Sequence, residues 1–177
     1  MTDSKEKAGS PTEAERGRFR LRLAEAQGFA SVYEVVKETV KRILGQYRVG
    51  LMLYLDDLTL RLGAYHPEGS NSIVMNRALL HIVESTAKSK IVVNAFVYTV
   101  LLHEYVHGLG YREESIVRPL VHKVSSESFG EKHITSYLAR LGPWAILQGL
   151  PLDEIEAPKR VMEIVKDLEK ENQRYIV

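Results

Sequence analysis

Residues 91–102, IVVNAFVYTVLL, form the longest apolar-rich run in a chain of 177 residues, and they lead directly into HEYVHGLG. The run is too short to span a bilayer and is interrupted by Asn94, so its place is a protein core. Read as a helix from about Ser89 to Leu109, it carries Phe96, Val97, Val100 and Leu101 in the turns just ahead of His103. A helix buried on that face and then bearing two histidines and a glutamate needs a chemical reason, because unpaired polar groups inside a protein are costly.

A metal is such a reason. On an α-helix, positions i and i+4 share a face about one turn apart, so His103 and His107 point two imidazoles at one ion. Glu104 stands roughly 100° round the helix, outside the coordination shell but within reach of a water held there. That is the content of H-E-x-x-H: two ligands and one general base on a single rod. Zinc acidifies water and polarises a carbonyl, while the glutamate takes the proton and delivers it to the leaving amine.

Catalytic zinc sites usually take three protein ligands. Gly108 and Gly110 end the helix and let the chain turn back, and Glu113 and Glu114 follow. A new helix from near Tyr111 would put Glu113 on the face of Val117, Leu120 and Val121, with Glu114 about 100° away and also within reach. The third ligand is expected to be Glu113 or Glu114, the other hydrogen-bonding a histidine, with His133 of FGEKH as the rival. His122 falls on the far side of the wheel and reads as a surface histidine. Tyr111 and Tyr137 are either oxyanion stabilisers or packed aromatics.

With 45% apolar and 27% charged residues, the chain has the balance of one globular domain. It has no cysteine, so a metal would be held by histidine and carboxylate. A net charge of +1 gives no electrostatic case for nucleic acid or an anionic membrane as partner. The N-terminal MTDSKEKAGSPTEAERGR lacks the apolar stretch of a secretory signal, and the expectation is a soluble, cytoplasmic protein.

Residues 1–15 read as a disordered tail and 16–177 as a single domain. In RGRFRLRLAEA, Phe19, Leu21 and Leu23 alternate with Arg18, Arg20 and Arg22, which predicts a strand with a solvated arginine face rather than a nucleic-acid surface. Ser31 to Gly45 predicts a helix with Val32, Val35, Val36, Val40, Ile43 and Leu44 inward. Strands are expected at 50–58, 60–65 and 72–76, with HPEGSN as a loop between the last two. Beyond Gly110 the chain reads as helical, through HITSYLARL and PKRVMEIVKDLEKENQRY, so helices of unassigned role fill about 134–177. Strands first and helices last argue for an α+β fold. The strand SIVMN either offers a free edge to an extended peptide or is an ordinary core strand, and the sequence does not separate the two.

LLHEYVHGLG, preceded by SIVMNRALL and the helix from about Ser89, resembles the core of the zincin metallopeptidases, and more narrowly the small single-domain minigluzincin-like proteins of archaeal type. The resemblance covers roughly residues 18–125. It implies a twisted mixed sheet of about four strands, a backing helix and an active-site helix. It also implies a zinc held by His103, His107 and a downstream carboxylate, Glu113 or Glu114, with Glu104 as general base. H-E-x-x-H-x-x-G-x-x-E is also similar to the metzincin pattern, but glutamate stands where their third histidine would be and no Met-turn follows. A bacterial metal-dependent endoribonuclease family shares part of HEYVHGLGY. It binds through three histidines and lacks the glutamate after the first.

The leading expectation is a zinc-dependent peptidase acting on a peptide or protein. The alternative is a zincin-fold binding or regulatory protein whose zinc is structural, or whose cleft is blocked by a terminal tail. A metal-dependent nuclease is the third reading.

Overall fold

In the computed structural model, which describes residues 8–169, the chain opens with helices and not with a strand. Helix α1 (Glu13–Glu25) starts at a capping box: the Thr12 side chain accepts from the Glu15 N–H, and the Glu15 carboxylate accepts from the Thr12 N–H. Phe19 and Leu23, one turn apart, are buried, whereas Leu21 between them is 57% exposed. The expected strand over 18–23 is therefore a helix. Its period-two pattern combined a genuine i, i+4 pair with one solvent-facing leucine. The expected tail over 1–15 is shortened too, because Gly9 donates to the Arg42 carbonyl and the helix already begins at Glu13. Residues 1–7 lie outside the described residues.

Helix α2 (Gly28–Leu44) buries Val32, Val35, Val36, Val40 and Ile43, as the spacing predicts. It is closed by Gly45 at φ 67°, the left-handed conformation glycine adopts without strain. The sheet follows, from β1 (Met52–Asp56), β2 (Ala64–Tyr65) and β3 (Ser72–Asn76), with β4 (Glu163–Ile164) added from far along the chain. The spatial order is β2-β3-β1-β4. The pair β1 and β3 is parallel with Leu53 beside Ile73, and both outer strands are antiparallel. SIVMN is thus an interior strand, the second of its two readings, and a free edge belongs instead to β2, which is shorter than the predicted 60–65.

A helix not foreseen, α3 (Arg77–Thr86), springs from β3 with no intervening turn. Asn76, the last strand residue, is its cap: the side-chain carbonyl accepts from the N–H groups of Ala78 and Leu79. The same amide group donates to the carbonyls of Leu58, Thr59 and Leu62, so one buried side chain organises the loop before β2 as well.

Helix α4 (Lys90–Gly108) runs through the middle, against α1, α2, α3 and the sheet, and against α5 (Glu114–Phe129) and α6 (Ile134–Leu141). Every residue from Asn94 to Leu102 is buried, as the apolar run requires. After α6 come two short 3₁₀ turns, Pro143–Leu147 and Leu152–Glu154. The helix expected over PKRVMEIVKDLEKENQRY is absent from its described part. There the chain is extended, with Val165 donating to the Leu53 carbonyl at 2.8 Å. The bare edge of β1 satisfies that backbone, and Asp57 fixes the approach by binding both Arg77 and Arg160. Residues 170–177 lie outside the described residues. The fold is α+β, with six α-helices and a small mixed four-stranded sheet among the described residues.

Candidate metal centre

His103 and His107 are the half-exposed positions in the second half of an otherwise buried helix, which places both at the surface of a cleft along α4. Their Nε2 atoms lie 3.2 Å apart. Glu114 brings Oε1 to 3.1 Å from the His103 Nε2 and 3.0 Å from the His107 Nε2. Three donor atoms thus converge on one point and are the described group best suited to hold an ion. Zinc bonds of about 2.0–2.1 Å in a tetrahedron set ligand atoms about 3.3 Å apart, close to the observed triangle. Two imidazoles and a carboxylate are also the donor set of catalytic zinc, so the residues present fit that metal.

Of the two glutamates expected to close the site, Glu114 is the one that reaches the histidines. Helix α5 starts three residues later than Tyr111, so Glu113 is its exposed N-cap residue and Glu114 its first helical residue. The rival His133 stands outside this group: it caps α6 by accepting from Thr135 N–H and stacks on Phe129 with ring centroids 5.0 Å apart. Burial, with Arg20 nearby, pushes its pKa down to about 4. His122, expected at the surface, is half-buried on the cleft wall, 3.5 Å from Glu131 and outside the His103–His107–Glu114 group.

His107 and Glu114 are held from behind. The His107 Nδ1–H donates to the Tyr111 carbonyl at 2.8 Å, which fixes the tautomer and leaves the Nε2 lone pair facing Glu114. Arg118, one turn along α5, donates from Nε to the second Glu114 oxygen at 3.1 Å. Burial works to raise the Glu114 pKa, and His103, Arg118 and His107 outweigh it, leaving the carboxylate below its usual range. Burial lowers the His103 pKa, with Glu114 opposing. Both shifts favour a neutral imidazole and an ionised carboxylate, the forms that bind a metal.

Glu104 is 7% exposed, lines the cleft and makes no hydrogen bond among the described residues. Burial pushes its pKa up to about 7, with His107 opposing and Glu114 adding. Tyr111 lines the cleft, but its hydroxyl donates to Gln46 at 3.2 Å; Tyr137 packs against the core and is not among the cleft residues.

The cleft encloses about 1210 Å³. Its floor is one stripe of α4, Thr99, Val100, His103, Glu104, His107 and Gly108, at helical spacing. One wall is β2 and its flanks, Leu62 to His66, and the other is the end of α6 with Leu141 to Trp144. Arg48, Arg118, Arg140, Trp144 and His66 were not foreseen here. Only Arg118 had a local signal, its i, i+4 spacing from Glu114. No described residue of the two chain ends, 8–15 or 150–169, lines the cleft. Among the described residues no helix is long and apolar enough to cross a membrane. No protein-family model, curated protein or solved structure matches the chain.

Proposed function

We propose that this chain is a zinc-dependent peptidase of the zincin kind, hydrolysing bonds in an extended peptide or protein, with His103, His107 and Glu114 as ligands and Glu104 as general base. The observation that carries the reading is the convergence of three ligand atoms beside a buried, unpartnered carboxylate on one helix face. When bound, zinc supplies the Lewis acid that acidifies water and polarises the scissile carbonyl. Glu104, with no competing hydrogen bond, accepts the proton of the attacking water and passes it to the leaving nitrogen. The outer edge of β2, unpaired on the cleft side, holds a peptide extended through main-chain hydrogen bonds. Tyr111 and Arg118 keep His107 and Glu114 in place.

Four arginines line the cleft, the one feature that favours a nucleic-acid substrate. Three are engaged: Arg112 with Glu68, Arg118 with Glu114, and Arg48 with the Gly108 carbonyl and Asn71. That leaves too little free charge to track a phosphate backbone. The test is a panel of quenched peptides, casein and RNA presented to the zinc-loaded protein and to Glu104→Gln. Peptide hydrolysis abolished by the substitution supports the reading. Cleavage of RNA alone, or of nothing by a fully zinc-loaded protein, contradicts it.

A further inference from the structure

One end of the cleft is shut. The Trp144 indole N–H donates to the Leu60 carbonyl at 2.9 Å, tying the α6 wall to the chain that leads into β2. Its ring lies over Gly63, where an added Cβ would meet Cη2 at 3.5 Å and Val100 Cγ2 at 3.7 Å. The closure therefore stands above Val100, while the metal ligands stand at His103 and His107. At about 1.5 Å of rise per residue, three to seven helix residues span roughly 5–10 Å. An extended peptide advances about 3.3–3.6 Å per residue, so one to three substrate residues fit between the metal and the closed end. A longer chain runs into Trp144.

The chemistry of that end is specific. Arg140, four residues before Trp144 in the chain and exposed on the cleft wall, has no hydrogen-bond or ion-pair partner among the described residues, unlike the other three arginines there. Leu141, next to it in the chain, is 55% exposed, and Leu62, next to the Gly63 that the Trp144 ring covers, is 40% exposed, leaving apolar surface uncovered on both walls. A free guanidinium next to bare apolar side chains matches a carboxylate carried on an apolar residue.

We propose that the Trp144-closed end is a carboxylate subsite, in which Arg140 binds a peptide carboxylate one to three residues beyond the scissile bond. This rests on the peptidase reading and sharpens it, because a chain-terminal carboxylate there makes the enzyme one that trims peptide ends. An acidic side chain at the same position is the other source of that chemistry.

Trp144 is the only tryptophan in the chain, so its emission reports occupancy of this end directly, without turnover. The full-length, zinc-loaded Glu104→Gln variant is titrated with acetyl-Ala-Leu as free acid and as C-terminal amide. It is then titrated with the amidated pair acetyl-Ala-Glu-amide and acetyl-Ala-Gln-amide. The expected result is a Trp144 response to the acid at concentrations about 10-fold or more below those the matching amide requires, abolished by adding Arg140→Gln. A response to the terminal acid identifies the chain end, and a response to the glutamate peptide alone identifies a side chain. Equal responses within both pairs, no response to any probe, or a carboxylate preference that survives Arg140→Gln would overturn the subsite. Acid-dependent binding in a wild-type protein that cleaves no peptide keeps the subsite and removes the peptidase reading. Hydrolysis of acid and amide peptides at one rate does the reverse.

Discussion

Glu104 shows how position sets a residue's chemistry. It is the one acidic side chain on α4, and its neighbours on the helix face are two imidazoles and apolar residues. If it is the base, Glu104→Gln lowers kcat by about 10²–10⁴-fold while bound zinc is unchanged, read by elemental analysis beside the hydrolysis assay. Arg118 acts through Glu114, and both are well exposed, so its loss is felt at the low end of such effects. Arg118→Ala is expected to weaken zinc about 10-fold in chelator competition, and unchanged affinity would remove its positioning role. That His103, Glu104 and His107 share one stretch of cleft floor was legible in the sequence, because helical spacing alone puts them together. Choosing Glu114 over Glu113 was not, because α5 starts at Glu114 and leaves Glu113 outside the helix as its extended N-cap residue, off the wheel on which it was placed. Arg140, Trp144 and His66 reach the cleft only through tertiary folding, and no local spacing announces them.

At the scale of elements, the readings that held rest on long, strongly patterned segments. Helices α2 and α4 emerge as expected because each carries a sustained apolar face or a long apolar-rich run, with glycine at or just past its end. Those that failed were short or competed with a tertiary partner. Helix α1 was mistaken for a strand although Thr12 and Glu15 spell its capping box. Helix α3 was missed because its cap, Asn76, is also the last residue of a strand. Asn76 carries more than the cap, since it also holds the loop whose Leu60 carbonyl receives the Trp144 N–H. Asn76→Ala is expected to cost about 2–4 kcal/mol in urea unfolding, since several buried backbone groups lose their partner together. It should also shift Trp144 emission to the red as the closed end loosens. A loss under about 1 kcal/mol with unchanged emission would show that Asn76 does not organise this junction.

For the molecule as a whole, the contact that joins its parts is Asp57. Its side chain is 1% exposed and bound by Arg77 at 2.9 Å and Arg160 at 2.7 Å, which fastens the segment before β4 to the sheet. The two arginines hold its pKa far below the usual carboxylate range. A depressed folded pKa means that the unfolded chain binds the proton more readily. The stabilisation is therefore present above the unfolded value of about 3.9 and is lost as pH falls below it. Asp57→Ala is expected to destabilise by about 3–5 kcal/mol at neutral pH, and to flatten the fall of the urea midpoint between about pH 4 and 2. The α+β class was legible from the chain, but the order β2-β3-β1-β4 was not, because β4 joins from more than a hundred residues along the sequence. That order decides which strands lie at the edges of the sheet. The central claim, that His103, His107 and Glu114 hold one catalytic metal, is tested most directly by zinc content after reconstitution and dialysis. It predicts about one zinc per chain in the wild type, Glu104→Gln and Glu113→Ala proteins, and almost none in His103→Ala, His107→Ala or Glu114→Ala. A wild-type chain that retains no zinc, or one whose zinc survives all three ligand substitutions, would contradict it.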